Sequence, residues 1–148
     1  MLLFIGLLHN TALREDAGMN WNGWPMDRIV ILFVALAFLL IGVQVAMSHY
    51  RQNFHQKAMW VPVLEAPVFL VVGLAHAFWN AGWLSTLFAV LMWIGALSGL
   101  VGFYYHFRGV GLRVGGWTSH NFLIGPPVVL PLVITALSVL ALIAVYWR

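Results

Sequence analysis

The fold is decided by the longest uncharged stretch of the chain, residues 66–107, which reads APVFLVVGLAHAFWNAGWLSTLFAVLMWIGALSGLVGFYYHF. It contains no Asp, Glu, Lys or Arg. As one helix it would be about 63 Å long, twice the thickness of the hydrocarbon core of a membrane. It must therefore fold back on itself, and we predict the turn at Asn80-Ala81-Gly82, because Asn and Gly favour turns.

Two more uncharged runs, residues 29–50 and 114–147, are also long enough to cross a bilayer. The sequence therefore predicts an all-α integral membrane protein, a single domain of residues 1–148 in which four transmembrane helices form an up-down bundle. The predicted spans are residues 26–50, 59–79, 83–107 and 122–147. Residues 1–20 begin with an apolar segment that is too short to span, so we expect them to lie in the membrane interface or against a partner.

The composition excludes several classes of protein. Of the 148 residues, 63% are hydrophobic and 7% are charged, against about a quarter charged in globular domains, which excludes a soluble enzyme. A nucleic-acid binder is excluded because the pI of 9.8 comes from only seven basic residues. The chain has no Cys, so disulfides, thiolate metal sites and thiol catalysis are excluded.

The distribution of basic residues predicts the orientation. The first and third loops contain four of them, and the opposite side contains three that are diluted by acidic residues. Because an excess of Lys and Arg in short loops marks the cytoplasmic side, we expect both termini to lie outside. The location that we expect is the inner (plasma) membrane of a bacterium. The four loop cations are Arg51, Lys57, Arg108 and Arg113.

The two halves of the chain share a pattern. One helix ends in His49-Tyr50-Arg51 and another in His106-Phe107-Arg108, and a second loop histidine follows, His55 or His120. The next helix then begins with two prolines five residues apart: Pro62 and Pro67, or Pro126 and Pro131. The pattern suggests two pseudo-repeated hairpins whose second prolines bend their helices at matching depth. Coincidence is the alternative, because histidine and arginine suit helix ends and proline suits first turns.

The repeat predicts a cofactor site. His49 and His106 end helices that run in the same direction, so they should lie at similar depth, as the two axial ligands of a haem b must. Arg51 and Arg108 would then meet the propionates. Terminal histidines that only cap the helix dipole are the simpler interpretation.

A stripe of small residues leads to the second of these histidines. Gly95, Gly99, Gly102 and His106 follow one another at spacings of 4, 3 and 4, which is one helical face. Such a face either packs closely against another backbone or leaves room for a flat ligand.

The second predicted helix has a polar stripe. Apart from Asp27 in the first turn of the first span, Glu65 is the one acidic residue inside a span, and His76 lies eleven residues later on the same face. A charge near the membrane centre is costly, so this stripe should face protein and be protonated, paired or beside water. It indicates either a proton path or quinone pocket, or interhelical hydrogen bonds that fix the packing.

Four histidines are expected on one side of the membrane near Glu65, which is a donor set for zinc, copper or non-haem iron. Their spacing is not that of a metal motif. The four are His49, His55, His106 and His120.

These features lead to three hypotheses. The first is a membrane-anchor or accessory subunit of a larger redox complex, with other membrane subunits as partners and a haem b or quinone site. In architecture alone it is similar to the cytochrome b anchors of dehydrogenases and hydrogenases. The second is a small homo-oligomeric transporter or proton channel that uses Glu65 and His76, and the third is a histidine-cluster membrane metalloenzyme. Because the loops are too short for a soluble domain, we do not expect catalysis by the chain alone.

Overall fold

The computed structural model describes residues 21–147, and within this range the chain is helical, without strands. Four long helices are α1 Met26–Tyr50, α2 Trp60–Phe78, α3 Gly82–Arg113 and α5 Val129–Tyr146. A 3₁₀ turn, Lys57–Met59, precedes α2, and a short helix α4, Ser119–Ile124, lies between α3 and α5. All four long helices are long and apolar enough to cross a membrane. The predicted four-helix membrane bundle is confirmed, whereas the prediction for residues 1–20 lies outside the described residues.

The four long helices form a closed ring. α1 packs against α2 and α5, and α3 packs against the same two helices. Phe38 of α1 and Phe69 of α2 meet edge to face in the middle of the bundle, with ring centroids 5.0 Å apart. Outward-facing residues such as Leu40 and Leu97 are exposed, which is the surface that a lipid bilayer covers. The largest fully buried side chains include Ile31, Phe38, Phe69, Phe88 and Met92.

Small residues allow the helices to approach closely. A Cβ atom added to Gly73 of α2 would lie 2.8 Å from the Cβ of Ala35 in α1. A Cβ on Gly42 of α1 would lie 2.9 Å from that of Ala66 in α2. Such contacts let van der Waals packing hold helices together in lipid, where the hydrophobic effect between helices is lost.

The third connection differs from the sequence prediction. α3 continues six residues beyond the predicted end at Phe107, so the start of the predicted third loop is helical. Residues 119–124 form α4, and the chain is then extended at Gly125, before Pro126 and Pro127. Because a proline disfavours helix in the residue before it, the last long helix begins at Val129 and not at residue 122.

The two pairs of prolines are not equivalent in the structure. Pro67 lies inside α2, whereas Pro131 is the third residue of α5, in its first turn. The prediction of two bends at matching depth is therefore wrong. Its cause is the late start of α5, which moves Pro131 from the helix interior to a position where proline is tolerated.

Candidate cofactor site

A cavity of about 480 Å³ lies at the end of the bundle where α1 and α3 terminate, which we call the histidine end. It is within the size range of ligand pockets, about 300–1,000 Å³. α1, α2, α3 and α5 all contribute to its wall, together with the two connections at that end. No acidic residue of the described chain lines it, but two arginines do, Arg108 and Arg113. The cavity is thus mostly apolar, with a positively charged rim.

Two imidazoles from different helices lie side by side in the cavity wall. The ring centroids of His49 and His106 are 6.3 Å apart, and their planes are inclined by 76°. His49 is 6% exposed. The two predicted ligands are therefore at similar depth, as expected from two parallel helices in which an arginine follows each histidine by two residues.

The ring of His106 is oriented by a backbone carbonyl. Its Nδ1 lies 2.9 Å from the oxygen of Pro127. In a regular helix that oxygen would accept from the backbone N–H of residue 131, but Pro131 has none. The imidazole satisfies the carbonyl instead, and when Nδ1 carries the proton, Nε2 keeps its lone pair.

The ring of His49 lacks the hydrogen bond at Nδ1 that His106 makes. Its Nδ1 is buried and has no hydrogen-bond partner among residues 21–147. A buried nitrogen without a partner is uncommon, and a bound ion is one of the reasons for which proteins retain such a group. His49 and His106 are thus both lining residues, and Nδ1 of His49 has no hydrogen bond within residues 21–147.

The predicted glycine stripe combines both of its proposed roles. A Cβ on Gly99 would lie 2.6 Å from the carbonyl oxygen of Pro131, so this glycine is required for close packing against α5. A Cβ on Gly95 would lie 2.6 Å from the hydroxyl of Ser138 on the same helix. Gly99 and Gly102 also line the cavity. The stripe therefore packs against α5 at Gly95 and Gly99, and borders the cavity towards its His106 end.

The arginines are arranged differently from the prediction. Arg108 lines the cavity as expected, but Arg51 is exposed and outside the lining. Its place is taken by Arg113, whose guanidinium donates to Nε2 of His55 at 3.0 Å. The sequence contained a signal for Arg113, because it follows His106 by seven residues, which is two helical turns on the same face. That signal applies only if α3 extends this far.

The four-histidine donor set is not assembled. His55 is turned towards Arg113 and lies outside the cavity lining. His120 lies exposed on α4, also outside that lining. Within residues 21–147, no three His, Asp or Glu side chains are placed to hold a metal ion. A pair of imidazoles remains, which suits a metal whose other ligands come from a cofactor.

Glu65 and His76 point to protein, as predicted, but they are not neighbours. Glu65 is half-buried and accepts a hydrogen bond from the hydroxyl of Ser98, with 2.7 Å between the oxygens. His76 is fully buried at the other end of α2, between Trp21 and Phe88. Ser98 was missed as a site residue: it lines the cavity and links it to Glu65.

No protein-family model, no curated protein and no solved structure matches this chain. The functional argument therefore rests on the residues of the cavity. These residues are two adjacent imidazoles, two arginines and one carboxyl group that is connected through a serine.

Proposed function

We propose that the protein is a haem-binding membrane subunit, in which His49 and His106 would hold a haem b in the cavity at the histidine end. The observation that supports this most is the pair of imidazoles, from two different helices, 6.3 Å apart in the wall of one cavity. An imidazole nitrogen binds a transition metal at about 2 Å. Two such nitrogens would be at most about 4 Å apart on one metal, and their ring centroids would be farther apart, which is compatible with the 6.3 Å between these rings.

The remaining parts of the cavity fit the same cofactor. The hydrogen bond from His106 to Pro127 is the kind of outer contact that fixes the tautomer and orientation of a metal-binding imidazole. Arg108 and Arg113 supply positive charge for two propionates, and the lining has no carboxylate to repel them. The bound haem would supply one-electron transfer, and the chain would hold it and set its surroundings.

The electrons must come from and go to other proteins. Between residues 21 and 147, the segments outside the helices are a few residues long, which leaves no room for a catalytic domain. We therefore propose an accessory or anchor subunit of a larger redox complex. By the excess of basic residues in the loops, we place the histidine end on the cytoplasmic side of a bacterial inner membrane, with both termini outside.

The other two hypotheses have less support from the geometry. A proton channel would need a path from Glu65 to His76, about 16 Å apart along the helix. Phe69 lies between them and is buried against the ring of Phe38. A metalloenzyme would need a third ligand beside His49 and His106.

Titration of the purified protein with haem tests the proposal. We expect one haem per chain and the absorption spectrum of a low-spin, six-coordinate haem. Replacing either imidazole, in His49→Ala or His106→Ala, should abolish the six-coordinate spectrum, and added imidazole should restore it to the variants. The matched control is His120→Ala, which removes an exposed histidine outside the cavity.

The proposal is overturned if haem does not bind, or if both cavity variants keep the wild-type spectrum. A variant that has merely unfolded is recognised by its circular dichroism. In that case the paired variants His49→Met and His106→Met, which supply a weaker axial ligand, should shift the spectrum without loss of the helical signal.

A further inference from the structure

Glu65 is one hydrogen bond away from the cavity. Its carboxylate oxygen Oε2 accepts from the hydroxyl of Ser98 at 2.7 Å. Ser98 belongs to the cavity lining, next to Gly99, while Glu65 does not. The carboxyl group is therefore outside the volume that a ligand would fill, but adjacent to it.

The hydroxyl of Ser98 has a choice between two acceptors. It lies 2.7 Å from Glu65 Oε2 and 3.2 Å from the carbonyl oxygen of Gly95. A hydroxyl has one proton to donate and can also accept. When Glu65 is ionised, Ser98 donates to it. When Glu65 is protonated, the acid can donate to Ser98, whose own proton then turns to Gly95. Both protonation states are satisfied without movement of any heavy atom.

Within residues 21–147, Glu65 is also the acidic residue closest to the cavity. The other acidic residue in the described part of the chain is Asp27, in the first turn of α1. The histidine end is at the opposite terminus of that helix, and His49 is about 33 Å from Asp27 along the axis. Because the bundle has a low dielectric constant, a change of charge in the cavity acts strongly on Glu65.

We propose that Glu65 takes up a proton when the cofactor in the cavity gains an electron, and releases it on oxidation. This rests on the proposed function. A one-electron reductant would supply the electron that a bound haem gains. A hydronium ion would give its proton to the Glu65 carboxylate, which leaves water and forms an O–H bond at Glu65. No bond of the cofactor breaks, and the net charge of the site is unchanged. Ser98 turns its hydroxyl from Glu65 to Gly95.

The test is a redox titration of the haem-loaded protein at a series of pH values. We expect the midpoint potential of the wild type to fall with rising pH, by up to about 59 mV for each tenfold change in proton concentration. In Glu65→Gln, which is close to the same shape but cannot ionise, the potential should be independent of pH over the same range. Asp27→Asn, at the far end of the bundle, is the matched control and should keep the wild-type slope.

Infrared difference spectra of the reduced and oxidised protein identify the group. We expect a carboxylic acid band to appear on reduction, to be absent in Glu65→Gln, and to change position in Ser98→Ala, because a carbonyl frequency depends on its hydrogen bond. A haem-loaded wild type with a flat potential and no such band overturns this inference alone. A midpoint potential that still falls with rising pH in Glu65→Gln also overturns this inference alone. Failure to bind haem overturns the proposed function as well.

Discussion

The contact between α3 and α5 can be tested by adding a single methyl group. In Gly99→Ala the new Cβ would lie 2.6 Å from the carbonyl oxygen of Pro131, whereas ordinary contact begins at 3.4 Å. The neighbour is backbone, so it cannot turn aside, and the two helices must separate by about 0.8 Å locally. The separation also stretches the hydrogen bond from Thr135 to the carbonyl oxygen of Ala96, now 3.1 Å.

The expected cost follows from these two effects. Overpacking of a tight interface costs about 1–3 kcal/mol, and an interhelical hydrogen bond in a membrane contributes about 0.6 kcal/mol. Alanine favours helix over glycine by up to about 1 kcal/mol, which offsets part of this. The free energy of unfolding of Gly99→Ala should therefore fall by about 1–2 kcal/mol.

Unfolding in mixed micelles with a rising fraction of sodium dodecyl sulfate, followed by circular dichroism, measures this difference. The matched control is Gly102→Ala, one turn further along the same face of α3, where the new Cβ would lie 3.2 Å from a side-chain carbon of Pro131. A shift of about 0.2 Å relieves that contact, so its stability should stay close to that of the wild type. The packing argument would be refuted if Gly99→Ala were as stable as the wild type, or if Gly102→Ala lost more free energy of unfolding than Gly99→Ala.

Two further changes probe the opposite end and the core of the bundle. The guanidinium of Arg28 donates to the carbonyl oxygens of Ala77 at 2.8 Å and Gly23 at 2.6 Å. It also lies 3.6 Å from the ring centroid of Trp24. Because these contacts are lost in Arg28→Ala, this variant should lower the free energy of unfolding by about 2 kcal/mol. The hydroxyl of Ser138 is fully buried and finds no hydrogen-bond partner within residues 21–147. Ser138→Ala should therefore leave the stability unchanged or raise it by up to about 1 kcal/mol. The same micelle unfolding measures both, and a destabilised Ser138→Ala or a neutral Arg28→Ala would contradict these assignments.

The number of spans follows from the sequence because charge is excluded from lipid, and long runs without charge are easy to recognise. The ends of the helices do not follow in the same way. Arg108 indicates where the apolar region ends, but α3 continues past it to Arg113. Hydropathy reports the boundary of the lipid, whereas a helix ends where its backbone bonds are interrupted, here before Gly115 and Gly116, which have positive φ.

The pairing of His49 with His106 was predictable because it depends only on helix direction and on distance from the arginine that ends each uncharged run, Arg51 or Arg108. The partners of these residues were not. The contact of His106 with Pro127 depends on the break before α5, and that of Glu65 with Ser98 depends on how α2 and α3 are rotated about their axes. Rotation is set by side-chain packing among four helices, which a hydropathy pattern leaves open.

Electron paramagnetic resonance of the ferric haem complex tests the central claim most directly, because it reports the spin state and so the axial ligands of the iron. The two imidazoles predict the low-spin signal of a bis-histidine haem in the wild type, and its replacement by a high-spin signal when either His49 or His106 is changed to Ala. A high-spin signal in the wild type, or a low-spin signal that survives both replacements, would contradict the assignment of these two residues as haem ligands.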